Sequence, residues 1–199
     1  PFQRKDIHVK GILFGAVLAA LGQNACARAY PYAVAPGLPA VVTVSGLPDQ
    51  RLRARVGDGP EHEVARLGGD EEVDQFQAVD VDRDGYRDFA IGQSGGGGQV
   101  LTRIFLYRPQ DRAFRELPHP DSASSPCHGF VNPVFDDTRP AFAVACRYAA
   151  ADYGFEEYAV CPDGTAQATS WSRRSGESLK RLPLPEPTAA TCRIRPKRR

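Results

Sequence analysis

From residue 40 onward the chain is a series of short runs in which apolar and polar residues alternate, each closed by Gly, Pro, Asn or Asp. Alternation of period two marks a strand with one buried face, and the closing residues supply turns. "AVVTVSG" from Ala40, "RLRARVGDG" from Arg51 and "HEVARLGG" from His62 read this way, as do "DQFQAVDVD" and "RDFAIG" further on. "QVLTRIFLY" from Gln99 is the longest candidate, expected to pair with "AFREL" at 113–117 across the turn "RPQDR". "AFAVACR", "FEEYAVC", "AQATSWSR" and "SLKRLPL" complete the series. No stretch past the N-terminal segment keeps a helical period, and 19 Gly and 17 Pro punctuate the chain. The expectation is an all-β single domain of antiparallel hairpins, propeller-like or sandwich-like.

The N-terminal segment has the layout of a signal peptide. Arg4, Lys5 and Lys10 form a basic region, "GILFGAVLAAL" at 11–21 an apolar one, and "ARA" at 27–29 a small-x-small cleavage site. The apolar run is shorter than the roughly 20 residues that span a bilayer, and it lacks the polar face of a buried amphipathic helix. "GQNAC" lacks the small-and-leucine pattern that precedes a lipid-modified cysteine, so cleavage after Ala29 is expected rather than anchoring at Cys26. The expected organisation is a signal peptide at 1–29, a β-rich domain at 30–182 and a proline-rich linker with a basic tail at 183–199. That places the protein in the periplasm, with no membrane span after cleavage.

Four cysteines follow the leader: Cys127, Cys146, Cys161 and Cys192, none in a CxxC pair. An even number in an oxidising compartment predicts two disulfides, with three connectivities open. Cys127–Cys146 and Cys161–Cys192 are preferred because each keeps its loop short. The tail "RIRPKRR" concentrates bases on a chain of formal net charge +1. Such a run is expected to be a solvated terminus rather than a nucleic-acid site.

The chemistry concentrates in "AVDVDRDGYRDFAIG", residues 78–92. Counted from Asp80, acids fall at loop positions 1, 3, 5 and 9: Asp80, Asp82, Asp84 and Asp88. Gly85 follows at position 6, and Tyr86 at position 7 offers its backbone carbonyl. Carboxylates this close repel one another unless a positive charge sits among them. The order is that of a calcium loop, and calcium takes six to eight hard oxygens, so Ca2+ is the expected ion and magnesium less suited. The pattern departs from an EF-hand, because Ile91 stands at position 12 and strands flank the loop. Asp88 then serves as the late ligand, with Asp74, Glu71, Glu72 or water completing the shell. The alternative is an acidic surface turn answered by Arg83 and Arg87. Since every acid is used as a ligand, a structural ion is expected rather than a catalytic one.

Other candidates carry less. "GQSGGGGQV" lacks the Lys-Ser/Thr and the following helix of a phosphate loop and reads as a flexible hairpin. His62, His119 and His128 share no metal spacing, no G-x-S-x-G elbow is present, and no catalytic constellation emerges. No enzyme is expected. "CRYAAADYGFEEYAV", residues 146–160, reads as two strands around a small-residue turn, with Tyr153 near the tip and Tyr148 close by. An exposed tyrosine there anchors a partner at low entropic cost, unless it folds back onto the sheet.

"VDVDRDGYRDFAIG", "IFLYRPQDRAFREL" and "NPVFDDTRPAFAVACRYAAADYGFEEYAV", in that order over about residues 74–160, resemble the periplasmic immunity proteins that protect bacteria from peptidoglycan-cleaving effectors of their own type IV secretion systems. That family is similar to the I-type lysozyme inhibitors, with a propeller-like β fold and a calcium loop. The resemblance implies calcium ligands at Asp80, Asp82, Asp84, Tyr86 and Asp88, and an inhibitory loop at 148–154 that includes Tyr148, Asp152 and Tyr153. It implies as partner a lysozyme-like peptidoglycan hydrolase. The loop reads "YAAADYG", where loops of this type usually show Ser-Gly and a following Tyr. The competing expectation is a calcium-stabilised adhesion or structural module of the repeat-propeller type, against which the single copy of DxDxDG counts.

Overall fold

The alternating runs pair with their neighbours in sequence to give three antiparallel sheets. The structure, a computed structural model, describes residues 27–120, 124–184 and 192. Residues 1–26 of the expected leader, Cys26 included, lie outside the described residues, as does most of the tail. The first sheet holds β1 (Arg28–Ala35), β2 (Leu38–Val44), β3 (Arg51–Val56) and β4 (His62–Arg66), in that order. The second holds β5 (Val73–Val79), β6 (Asp88–Ser94), β7 (Val100–Arg108) and β8 (Ala113–Glu116), and β9 (Phe130–Val131) also pairs with β7. The third runs β10 (Val134–Phe135), β11 (Ala141–Ala149), β12 (Asp152–Val160), β13 (Ala166–Ser175), β14 (Ser178–Arg181). The described residues contain no helix, and none that could cross a membrane.

Strand alternation decides how the sheets stack. In β6 and β7, Phe89, Ile91, Phe105 and Tyr107 point to one core, shared with Val34, Val42 and Leu52 of the first sheet. Ala90, Ile104 and Leu106 point to the other, shared with Phe142, Val144, Tyr158 and Trp171 of the third. Successive residues of a strand face opposite sides, so the second sheet is the middle layer and is apolar on both faces. This explains why "RIFLY" and "DFAIG" are almost uninterrupted apolar runs. Phe89 stacks on Phe105 with ring centroids 4.9 Å apart and meets Phe114 edge-on at 4.8 Å. Each such large buried side chain contributes on the order of 2 kcal/mol.

The expected all-β architecture is present, with differences in detail. β1, β9 and β10 were not expected. β1 begins at Arg28, so the expected cleavage point after Ala29 falls inside it. Arg28 also donates to the Val73 carbonyl at 2.9 Å and pairs with Glu72 at 3.1 Å. Pro31 is tolerated there because β1 is an edge strand. The longest strand is β13, with 10 residues, rather than the run from Gln99. Two disulfides join Cys127 to Cys146 and Cys161 to Cys192, with Cα atoms 5.5 and 5.1 Å apart. Such bonds belong to an oxidising, exported compartment. The second one fastens Cys192, beyond the expected linker, to the end of β12.

Candidate metal centre and exposed hairpin

The acidic loop joins β5 to β6 and is shaped by its own side chains. The Gly85 amide, at φ 94°, donates to Asp80 Oδ2 at 3.2 Å, and the Tyr86 amide to Asp84 Oδ1 at 2.9 Å. Val81 is anchored in the core between the second and third sheets, and the Arg87 amide donates to the Val34 carbonyl at 2.7 Å. Asp88 opens β6 fully buried. Its two carboxylate oxygens accept from the amides of Val81 and Tyr107, each at 2.8 Å.

This arrangement brings one oxygen each of Asp80, Asp82 and Asp88 within 4.8 Å of one another. Asp80 Oδ1 and Asp82 Oδ1 are buried and accept no hydrogen bond. Among the described residues the one cation in contact is Arg108, 3.2 Å from Asp82 Oδ2. Burial, despite the two amides, pushes the Asp88 carboxyl up to about 8, and the charges of Asp82 and Asp84 add to the rise. Burial and then Asp84 raise Asp82 as well, against Arg108. A group of oxygen-only donors with two orphaned oxygens and carboxyls raised by burial and mutual repulsion fits a hard divalent cation, which favours their ionised forms.

The predicted ligand set is gathered only in part. Asp80, Asp82 and Asp88 converge. Asp84 is exposed and caps the Tyr86 amide outside the cluster, and the Tyr86 ring packs on Tyr107 at 5.5 Å. Glu71, Glu72 and Asp74 are not in the cluster: Glu72 pairs with Arg28, and Asp74 accepts from Ser94.

Two side chains tie this loop to the third sheet. Arg83, in the left-handed region at φ 60°, donates to the Asp136 carbonyl and lies 3.7 Å from Asp137, in the turn between β10 and β11. Arg108 crosses from Asp82 to the β12–β13 turn. There a Cβ on Gly164, at φ 85°, would stand 2.1 Å from the guanidinium. A side chain at 164 would be strained by the positive φ and would push the guanidinium aside.

The hairpin of β11 and β12 turns at Ala150 and Ala151, so Tyr153 lies near the tip, two residues beyond it. Its hydroxyl donates to the Ala150 carbonyl at 3.2 Å and its ring runs beside Phe155. Tyr148 falls in a bulge of β11 and is 43% exposed. The Arg173 guanidinium covers its ring at 4.6 Å, and Arg173 in turn binds Asp152 through two hydrogen bonds of 2.6 and 3.0 Å. Below the tip, Cys146 is bonded to Cys127. The Arg147 amide donates to Gln99 at 2.7 Å, at the foot of the glycine loop 95–98. Gly96, Gly97 and Gly98 there all have positive φ and no near neighbours, as a hairpin connection allows.

One cluster was not anticipated. Glu156 is buried and accepts from Ser125, from the Cys127 amide at 2.9 Å and from Tyr158 at 2.7 Å. Tyr158 also meets His119 Nε2 at 2.9 Å. Ser125 turns to the carboxylate and not to His119, so the group braces the segment that carries Cys127. The sequence signal was parity: in "YGFEEYAV", Gly154, Glu156 and Tyr158 share the buried face. The chain matches no protein-family model, no curated protein and no solved structure.

Proposed function

We propose that this chain is an exported, calcium-stabilised β-protein of the periplasm that binds a lysozyme-like peptidoglycan hydrolase and blocks its cleft, as an immunity protein does. The observation that carries the reading is the exposed end of the β11–β12 hairpin. It presents Tyr148, Asp152 and Tyr153 while the Cys127–Cys146 disulfide and the Arg173 clasp hold it. A stiff element loses little freedom on binding, and tyrosine and arginine are the side chains that dominate binding energy. A glycan hydrolase works with two carboxylates flanking the scissile bond, and filling the space between them stops turnover. The calcium role rests on the converging oxygens of Asp80, Asp82 and Asp88, of which Asp80 Oδ1 and Asp82 Oδ1 accept no hydrogen bond, a group suited to an ion that fixes the loop between β5 and β6.

The test mixes residues 30–199, oxidised and in calcium, with purified lysozyme-fold hydrolases of animal and bacterial origin, and follows the lysis of purified sacculi. Stoichiometric inhibition of one of them, weakened by Tyr148→Ala or Tyr153→Ala, is expected. No inhibition and no complex with any of them overturns the reading.

A further inference from the structure

We propose that the outward face of the third sheet, beside the hairpin end, is a cationic docking surface for an acidic protein face, with Arg147, Arg174 and Arg181 as its charges. The register sets Arg147, Tyr153, Arg174 and Leu179 opposite one another across β11 to β14. The second row is Ala145, Phe155, Ser172 and Arg181. Directly opposed residues share a face. It is the outer one, because Cys146 and Gly154, in the row between, are buried against the Cys127–Cys146 disulfide.

The charge on this face is uncompensated. Among the described residues half of the exposed arginines sit beside a carboxylate, Arg53 with Glu61, Arg66 with Glu63 and Arg173 with Asp152 among them, while Arg55, Arg87 and Arg112 stand unpaired at scattered places and three more gather on this face. Among the described residues Arg147, Arg174 and Arg181 have no such partner, and all three are exposed. The first carboxylate on the same face, Glu157, stands a row further on. Arg147 and Arg174 flank Tyr153, whose ring lies 6.3 Å from that of Phe155, and Arg181 and Leu179, the latter 65% exposed, stand beyond them on β14. Aromatic rings beside unpaired guanidinium groups are the complement of a carboxylate-bearing protein surface: the charges steer and orient it, and the rings supply buried area. Calling that protein a hydrolase rests on the function proposed above. The docking chemistry does not.

The probe is poly-L-glutamate immobilised on a sensor surface, with purified sacculi as the glycan comparison. The wild-type protein, R147E/R174E/R181E and a control, R53E/R55E on the first sheet, are compared at about 50 and about 300 mM salt, over which the Debye length falls by more than half. Melting curves establish that each is folded, and the single reversal R174E stands in if the triple variant is not. Binding of wild type and control, weakened at least about tenfold by salt and at least about tenfold by the triple reversal, is expected. No wild-type binding, or equal binding by the reversal variant, overturns the proposal. Capture by sacculi but not by poly-glutamate also overturns it, in favour of an anionic glycan. If a hydrolase is inhibited equally by wild type and by the reversal variant, the inhibitor reading survives and the docking face does not. If poly-glutamate binding follows the prediction while no hydrolase is inhibited, the opposite holds.

Discussion

Glu156 sets the pH response of the hairpin's foundation. Burial raises its carboxyl, but His119, with Nε2 3.8 Å away, and the hydrogen bonds from Ser125, Tyr158 and the Cys127 amide together outweigh this and hold it below its ordinary value. A carboxyl depressed by folding adds stability above its unfolded pKa, and that stability is lost as pH falls through the folded one. Glu156→Gln is therefore expected to cost about 1–3 kcal/mol at pH 7, or about 2–10 °C in melting temperature for a domain of this size. The gap from wild type should narrow at pH 3, and a gap unchanged between the two pH values contradicts the account. Asp82 is the counterpart at the loop. If calcium is held there, saturation at about 100 times Kd adds about 2.7 kcal/mol, roughly 5–10 °C. Asp82→Ala should abolish that increment, so that its loss relative to wild type is larger in calcium than in chelator, where only the Arg108 pairing is lost. Equal loss in calcium and in chelator counts against the ion. The spacing of the acids was readable in the chain because position in a turn follows from sequence. The departure of Asp84 was not, since an aspartate two residues before an amide can cap it as readily as bind an ion. The Glu156 cluster was legible only as the shared parity of Glu156 and Tyr158, because residues 119 and 125 meet them only through tertiary packing.

At the scale of elements, period-two alternation and turn residues located eleven strands, because both are local properties of the backbone. β9 and β10 escaped since two-residue strands carry no period, and β1 since its alternation overlaps a cleavage-site pattern. The hairpin turn lies within the expected "AAADYG", but its two central residues were not legible. "AAADYG" permits several two-residue turns, and the pairing of Ala149 with Asp152 is chosen by the bulge at Tyr148 and by Arg173 reaching Asp152 from the next strand. Gly154 then has a specific duty. A Cβ there would stand 2.7 Å from Cys146 Sγ and 3.2 Å from Cys127 Sγ, so the strand passes the disulfide only with glycine. Gly154→Ala should cost about 1–3 kcal/mol in the oxidised protein, and distinctly less in a Cys127→Ser/Cys146→Ser background, where the smaller oxygens leave room. A thermodynamic cycle over these variants reads the coupling directly, and full additivity would show that the disulfide is not what excludes the methyl group.

Across the whole molecule, the acidic loop is fastened to all three layers. It grows out of the second sheet, its Arg87 amide holds the Val34 carbonyl of the first, and Arg83 holds the Asp136 carbonyl at the root of the third. Arg108 bridges the same gap from Asp82 to the β12–β13 turn. An ion that stiffens residues 80–88 would therefore stiffen the platform on which the hairpin stands, although the hairpin touches none of its ligands. Energetic coupling of this kind runs through a physical connection that can be cut. Arg83→Ala removes one such connection without removing a carboxylate. Calcium should bind this variant within about threefold of the wild-type affinity by calorimetry, since the exposed Asp137 partner adds little. Amide exchange at residues 141–160, slowed by calcium in the wild type, should respond less in the variant. Calcium-dependent protection of the hairpin that survives Arg83→Ala undiminished would place the coupling in Arg108 and the shared core instead, a distinction that Arg108→Ala, measured in the same way, makes directly.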